Sequence, residues 1–329
     1  MMAQARVWTG RALRPEAMAV LEGLASIVTS GIGERNDWPA EAANADVIMV
    51  AGETFVTGDV MDRVGPRLRI IARTGIGVDR IDLGAATQRG IMAVNTPDGP
   101  TESTAEHAIA LMLNLCKRVT ATDNILRSGH PFPELRTLTP GFEVYGATLG
   151  LVGLGRIGSR VAAIAQALGM KVLAFDPYIT SERASALEVE LVPSLEELLP
   201  RVQIVSLHCP AIPETYHIIH AGTLSLMPRG SYLINAARGA LIDESALLDA
   251  LRSGHLAGAA LDVYDPEPPM TNHPLFTMPN TICTPHIASY TRAGVLRMEV
   301  MACEQIASAL RGARPTNLVN AQVWDRRRN

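Results

Sequence analysis

The chain has 329 residues, 47% of them hydrophobic and 19% charged, with a formal net charge of −4. That length exceeds one typical core and points to two domains of ordinary size. The charge excludes bulk attraction to phosphate backbones or anionic lipid, so neither a nucleic acid nor a membrane is expected as a partner.

Taken in chain order, apolar runs alternate with helix-length stretches, the pattern of parallel sheets covered by helices on both faces. Strands are expected at Ala5–Trp8, Asp46–Ala51, Leu68–Arg73 and Ile91–Asn95. Thr101–Arg118 starts with the cap-type residues Thr101, Ser103 and Thr104 and runs apolar through Ala108, Leu111, Met112 and Leu115, which predicts a helix. Cys116 on the same pattern reads as a small buried hydrophobe. From Thr148 the rhythm tightens, with runs at Leu149–Val152, Lys171–Phe175, Ile204–His208, Ser231–Asn235, Ala257–Val263 and Thr281–Thr284. Helical stretches such as Ile157–Leu168 and Glu244–Arg252 lie between them, and Gly254 follows the latter where a C-cap glycine belongs. Four prolines make Asp265–Pro274 a stiff loop that cannot join a sheet interior.

Arg292–Leu310 is a second long helix, and it and Thr101–Arg118 are read as crossings between two domains. Residues 1–100 plus 295–329 would form one domain, and residues 101–294 a contiguous insertion into it. The run Arg326–Arg328 is read as a solvated tail end. The N-terminus has no basic-then-apolar leader, and no apolar stretch is long enough to cross a bilayer. The four cysteines lack CxxC spacing, so a soluble, cytoplasmic protein with reduced thiols is expected.

Val152-Gly153-Leu154-Gly155-Arg156-Ile157-Gly158 places a GxGxxG directly after an apolar strand and at the start of a helix. In that setting the first glycine allows the tight turn, the second lets backbone approach a pyrophosphate, and the third lets helix pack on strand. Amides at the helix start then face the phosphates. The next strand ends in Asp176, eighteen residues past Gly158, where a carboxylate accepts from ribose hydroxyls and repels a 2′-phosphate. The expected cofactor is NAD in preference to NADP.

Three residues beyond predicted strand ends carry chemistry that a dinucleotide fold alone does not. These are Arg238 after Ser231–Asn235, Glu267 in the proline-rich loop, and His286 after Thr281–Thr284. Oxidising a secondary alcohol needs a base for the hydroxyl proton, and histidine titrates in the useful range. A carboxylate behind the imidazole fixes its tautomer, and a guanidinium binds a substrate carboxylate in a geometry that lysine lacks. His130, His217, His220, His255 and His273 read as structural, as do His107 and His208, for which the sequence names no acidic partner.

These motifs resemble the D-isomer-specific 2-hydroxyacid dehydrogenases from about Ala45 to Leu318. The matching blocks are Arg73–Asp79, Thr104–Ala108, the glycine loop, Leu226–Gly230, Asn235–Gly239, Leu261–Tyr264 and Thr284–Ile287. The resemblance implies an α/β fold of two doubly wound parallel-sheet domains, a Rossmann NAD-binding domain inserted into a flavodoxin-like substrate domain. It implies Arg238, Glu267 and His286 as the catalytic trio. The backbone amides of Gly75, Ile76 and Gly77 would bind the substrate carboxylate, with Arg73 nearby. Thr104 and Asp262 would contact the nicotinamide end, Arg156 and Ile157 would cover the pyrophosphate, and Cys209 and Pro210 would join the cofactor side. No metal is implied, and a homodimer joined through the cofactor domain is.

The implied reaction moves a hydride between NAD(H) and a small D-2-hydroxy acid or 2-keto acid. The sequence is similar to short phosphoglycerate dehydrogenases but ends near Asn329 without a regulatory extension, and Val50–Phe55 lacks the basic residue such enzymes usually show there. Glu53 would make the local field worse for a dianion. Glyoxylate, hydroxypyruvate or a sugar-derived keto acid is therefore at least as well matched as 3-phosphoglycerate. Formate dehydrogenases place a glutamine where Glu267 stands. The alternative of an NAD(H)-sensing module without turnover is disfavoured by the intact trio.

Overall fold

The computed structural model describes residues 4–32, 37–52, 54–130 and 140–328. Glu53, invoked above against a dianionic substrate, lies outside the described residues. The chain divides into two compact units, Met1–Pro100 with Tyr290–Asn329, and Thr101–Ser289.

The first unit holds strands β1 (Ala5–Thr9), β2 (Ala25–Thr29), β3 (Val47–Val50), β4 (Ile70–Arg73) and β5 (Met92–Val94), with helices α1 (Pro15–Val20), α2 (Gly58–Val64) and α3 (Leu83–Gln88) between them. All pairings are parallel and the order is β2-β1-β3-β4-β5, so the winding reverses between β1 and β3. Alternate residues of β3 enter opposite cores: Val47 and Met49 pack with Val7 and Ile70, whereas Ile48 and Val50 pack with Trp8 and Ile71. A strand buried on both faces loses the polar alternation of a one-sided sheet and reads as a continuous apolar run. β2 was not foreseen because it is the edge strand, pairing only with β1 and keeping every residue at least partly exposed.

The second unit holds α4 (Thr101–Lys117), α5 (Val119–Arg127), β6 (Thr148–Val152), α6 (Arg156–Ala167), β7 (Lys171–Phe175), α7 (Ser181–Ala186), β8 (Glu190–Leu191), α8 (Leu195–Leu198), β9 (Ile204–Leu207), α9 (Ala221–Leu226), β10 (Ser231–Asn235), α10 (Glu244–Arg252), β11 (Leu256–Leu261) and β12 (Thr281–Cys283). The sheet is parallel, ordered β12-β11-β10-β9-β6-β7-β8, and its winding reverses between β9 and β6. α4 packs on α6, β10 and β11 through Ala108, Leu111, Met112 and Leu115, and Cys116 is buried among them as expected. β8, two residues long, is too short to leave a sequence pattern. The fold is thus a pair of doubly wound parallel α/β sheets, the second inserted into the first.

The chain returns to the first unit at Tyr290, ahead of α11 (Arg292–Leu310), whereas the sequence reading divided the domains inside that helix at 295. The physical start is Thr291, whose hydroxyl caps the helix by accepting from the Gly294 amide. α11 then packs on α1 and β4.

The C-terminal segment closes the β5 edge. Val319 N–H donates to the Ala93 carbonyl at 2.8 Å, and the buried Asn320 side chain accepts from Ala93 N–H and donates to Ile91 O and Thr87 Oγ1. Truncating Asn320 leaves a buried N–H and a buried carbonyl without partners, which costs about 1–3 kcal/mol for each. Asn320→Ala is expected to lower the unfolding free energy by about 2–4 kcal/mol in urea denaturation; a loss below about 0.5 kcal/mol would show that the segment is dispensable.

Candidate functional site

The carboxyl edge of the seven-stranded sheet carries the glycine loop, Asp176, the β9 loop, Arg238, Glu267 and His286, each beyond a strand end. The glycine loop follows β6 on one side of the winding reversal, and His208, Cys209 and Pro210 follow β9 on the other. Open α/β sheets bind ligands in the crevice at such a switch point. The three glycines of the loop meet different constraints. Gly153 has φ +100°, and a Cβ there would lie 2.8–2.9 Å from His208 and Cys209 backbone; a Cβ on Gly158 would collide with the Gly153 carbonyl oxygen. Gly155 is different, because its φ is −70° and a Cβ there would meet nothing within 4 Å. Nothing in the folded chain requires glycine at 155, so the open face suits a group that comes from outside. The adjoining α6 begins with Arg156 and Ile157 and has no side-chain cap, the arrangement that suits a pyrophosphate.

Asp176 stands at the end of β7 as expected. Its Oδ2 accepts from the Leu154 amide at 2.8 Å and its Oδ1 from the Tyr178 amide at 2.9 Å. Each carboxylate oxygen retains a lone pair, so the group is fixed beside the glycine loop and still able to accept from a ribose diol. Burial pushes the Cys209 thiol up to about 11, leaving it protonated and inert at neutral pH. Burial likewise pushes the His208 imidazole down to about 4, so it is neutral, with Nε2 2.9 Å from Ser206 Oγ. Thr104 is buried in the first turn of α4.

Arg238, Glu267 and His286 lie beyond β10, β11 and β12, three strands adjacent in the sheet. His286 Nδ1 is 2.7 Å from Glu267 Oε1. A carboxylate only accepts, so Nδ1 carries the hydrogen and Nε2 is left for proton exchange. His286 has φ +53°, a left-handed conformation rare for a residue with a Cβ, and its imidazole is about one-third exposed. The Arg238 loop is tied by buried Asn235, which accepts from Ala237 N–H and donates to the Arg238 carbonyl. Gly239 seats this loop against the next: a Cβ there would collide with the Tyr264 carbonyl.

Asp262 is fully buried and organises the His286 loop. Its oxygens accept from Thr284 Oγ1 at 2.6 Å, Ile287 N–H at 2.9 Å and Ala288 N–H at 2.8 Å, while His286 N–H donates to its carbonyl. Burial by itself drives its pKa up, but the bonds from His107, Thr284 and the two amides outweigh that and hold the carboxyl below its ordinary value. Asp262 was expected at the nicotinamide end; the bonds from Thr284, Ile287 and Ala288 tie it to the chain that carries His286, and His107 reaches it from α4. His107, for which the sequence names no acidic partner, has one: its Nε2 is 3.5 Å from Asp262 Oδ1 and 3.2 Å from Thr284 Oγ1. The only sequence signal was its helical spacing from Thr104, which says nothing about a carboxylate 155 positions away. His273 also gains an acid, with Nε2 2.8 Å from Glu244 Oε2.

In the first unit, Arg73 ends β4 and its Nε donates to the Gly77 carbonyl at 3.2 Å. Gly75, at φ +146°, donates its amide to buried Thr96 Oγ1 at 2.7 Å, so it is not the open donor that the sequence reading assigned. The amides of Ile76 and Gly77 make no bond to any of the described residues and remain as donors for an anion. Asn95 fixes the turn between them by donating to the Ile76 carbonyl.

Strand order, glycine loop and acid at the second strand define a dinucleotide-binding oxidoreductase fold. Residues 109–288 match the family model described as D-isomer specific 2-hydroxyacid dehydrogenase, NAD binding domain. The chain is 39% identical to a glyoxylate reductase of Aeropyrum pernix over 98% of both chains. It is 40% identical to a D-3-phosphoglycerate dehydrogenase of Methanocaldococcus jannaschii over 94% of this chain but 58% of that protein, and thus spans little more than half of it. The structure superposes with a TM-score of 0.86 and 28% identity on an NADPH-dependent glyoxylate/hydroxypyruvate reductase of Sinorhizobium meliloti, solved with NADP and malonate, covering 99% of each chain. The chain belongs to the D-isomer-specific 2-hydroxyacid dehydrogenases, and its second unit contains their NAD-binding domain.

Two outcomes follow from the glycine loop and its acid. Gly155→Ala should leave the melting temperature within about 2 °C and weaken NADH at least about tenfold in fluorescence titration, whereas Gly158→Ala should lower the melting temperature markedly. Equal behaviour of the two variants would remove the special role of Gly155. Asp176→Ala should narrow the preference for NADH over NADPH in the same titration, and a wild-type protein that already favours NADPH would contradict the assignment.

Proposed function

We propose that this chain is an NAD-dependent dehydrogenase that interconverts a small D-2-hydroxy acid and its 2-keto acid. The observation that carries the reading is the 2.7 Å contact of His286 Nδ1 with Glu267, which leaves Nε2 as the working nitrogen. When bound, the cofactor supplies or accepts the hydride; Gly153, Gly155, Arg156, Ile157, Gly158 and Asp176 would hold it, with Thr104, Cys209 and Pro210 on the same side. In the reducing direction His286 Nε2–H gives its proton to the carbonyl oxygen of the keto acid, and in the oxidising direction neutral Nε2 takes the hydroxyl proton. Glu267 keeps the imidazole in one tautomer and fixes its orientation. Arg238 holds the substrate carboxylate and polarises the carbonyl. In the first unit the Ile76 and Gly77 amides, beside Arg73, are the proposed donors to a substrate carboxylate.

Glyoxylate, hydroxypyruvate, sugar-derived 2-keto acids and 3-phosphoglycerate are the proposed substrate candidates, the first three at least as well matched as the last. A homodimer joined through the cofactor unit belongs to the same proposal. It is supported by α5, which buries none of its residues and turns Val119 and Leu126 to solvent. Four free thiols, two of them in the cores, suit the reducing cytoplasm.

The reading is tested by following NADH absorbance with a panel of 2-keto acids. At least one member of the group should be turned over, and His286→Ala should lower kcat at least about 100-fold with NADH affinity little changed. Near-normal kcat in the variant would remove His286 from the role, and inertness of NADH-binding protein across the panel would remove the enzymatic reading.

A further inference from the structure

A basic crevice of about 160 Å³ lies at the amino ends of β4 and β5, the sheet edge opposite the Arg73–Gly77 turn. Arg69 precedes β4, Met92 opens β5, Leu310 and Gly312 end α11, and Arg327 and Arg328 complete the wall. Three guanidiniums therefore share one crevice, and none of its described lining residues is acidic. At about 30 Å³ per water it has room for roughly five, enough for a phosphate group.

The sequence reading of Arg326–Arg328 as a solvated tail end holds only for Arg326, which is exposed. Arg328 N–H donates to the Gly90 carbonyl at 2.9 Å, and its Nη1 donates to the carbonyls of Pro66 and Leu68. The Arg327 guanidinium lies 3.7 Å from the Trp324 ring centroid and donates through Nη1 to the Trp324 carbonyl. A Cβ on Gly90 would lie 2.8 Å from the Arg326 carbonyl, so the tail packs on the turn before β5. The tail is thus tied down with two guanidiniums at the crevice, and the Nη2 group of each makes no hydrogen bond to the described residues.

Arg69 is held more loosely still. Its ion pair with Asp46 is long, 3.4 Å, and Arg67 holds the same carboxylate at 2.8 Å. Its Nε is buried with no hydrogen-bond partner among the described residues. A guanidinium presents five donors, so all three keep donors to offer, and Arg69 gives up one long ion pair at most on turning to an anion. Charge points the same way. With the whole Asp46 carboxylate and the roughly half negative charge of the α11 C-terminus set against the three guanidiniums, about one and a half positive charges remain. Asp62 does not change this, because it is paired to Arg89 at 2.8 Å. The Arg69 side chain is only 26% exposed, so salt screens its field less than that of a surface arginine.

We propose that this crevice is a binding site for a small phosphate dianion, either inorganic phosphate or the phosphate group of a monoester. β4 runs between this site and the turn assigned to the substrate carboxylate, about 13 Å from Arg69 to Arg73 at the rise of a strand. The two anion sites are therefore distinct, and the assignment does not depend on the dehydrogenase reading.

The test is isothermal titration of the whole protein with inorganic phosphate and, separately, glycerol 3-phosphate, at constant ionic strength. Saturating NADH keeps the glycine loop filled. Wild type should bind phosphate, and the tighter of the two probes identifies the free ion or the monoester as the source. Arg69→Met and Arg327→Met should each weaken binding at least about tenfold, since each removes a charge-assisted donor. Arg326→Met, outside the lining, should leave it within about twofold. If Arg69→Met fails to fold because Asp46 loses a partner, Arg327→Met still decides. Wild type that binds neither probe overturns the assignment, as does binding that Arg327→Met leaves unmoved. Equal weakening by Arg326→Met would show diffuse attraction to a basic tail and would overturn it too.

Discussion

The buried carboxylate of Asp262 is the constraint on which the loop that carries His286 depends. It draws in Thr284 Oγ1 and the amides of Ile287 and Ala288, and the chain between those anchors turns through His286 at φ +53°. A histidine in the left-handed region is held there only by surroundings that over-determine it. The four bonds to Asp262 and its backbone do so, and they direct the imidazole toward Glu267. A carboxylate stripped of water would ordinarily take up a proton; here its donors keep it ionised well into acid, so the loop is held at any pH at which the enzyme would work. The sign follows from a folded pKa below the unfolded one: the stabilisation is present at neutral pH and is lost only as pH falls through the folded value.

The same sheet edge uses glycine for three different purposes. Gly153 and Gly158 are required by the fold, since a side chain at either would strike backbone of the β6–α6 turn or the β9 loop. Gly239 is required by the contact between two loops, because Tyr264 leaves no room for a Cβ. Gly155 is required by neither. Within one short motif, the residue whose identity the folded chain leaves unexplained is the one that a pyrophosphate explains.

Much of this was legible in the sequence because strands buried on both faces announce themselves as apolar runs. β3, β6 and β9 are fully or almost fully buried, and all three were expected. β2 and β8 were not, one an edge strand with every residue partly exposed and the other two residues long. The places of the glycine loop and of Arg238, Glu267 and His286 beyond strand ends were also legible, because each follows a strand that reads as an apolar run. What sequence could not supply, outside the Glu267–His286 pair, was the partner of most polar groups. The commitment of the Gly75 amide to Thr96, the pairing of His107 with Asp262 and the pairing of His273 with Glu244 join residues 21, 155 and 29 positions apart. Such pairs are set by strand order and loop packing, and neither has a periodicity.

Those long-range bonds also explain how a proline-rich stretch without regular structure between Asp265 and Pro274 can hold Glu267 against His286. Backbone N–H groups outside helices and sheets must find acceptors elsewhere, and here side-chain carboxylates provide them. Glu244, in the first turn of α10, accepts from Asp265 N–H at 3.2 Å through Oε1 while Oε2 is held by His273. Asp262 does the same for Ile287 and Ala288. The loop that bears Glu267 and the loop that bears His286 are therefore each anchored to a buried or nearly buried carboxylate based in the rigid sheet or its helix. The Glu267–His286 pair at their meeting point stays one-third open on the imidazole side. This division leaves the His286 imidazole open on one side while Asp262 and Glu244, each accepting backbone N–H groups, fix the two loops that carry the pair.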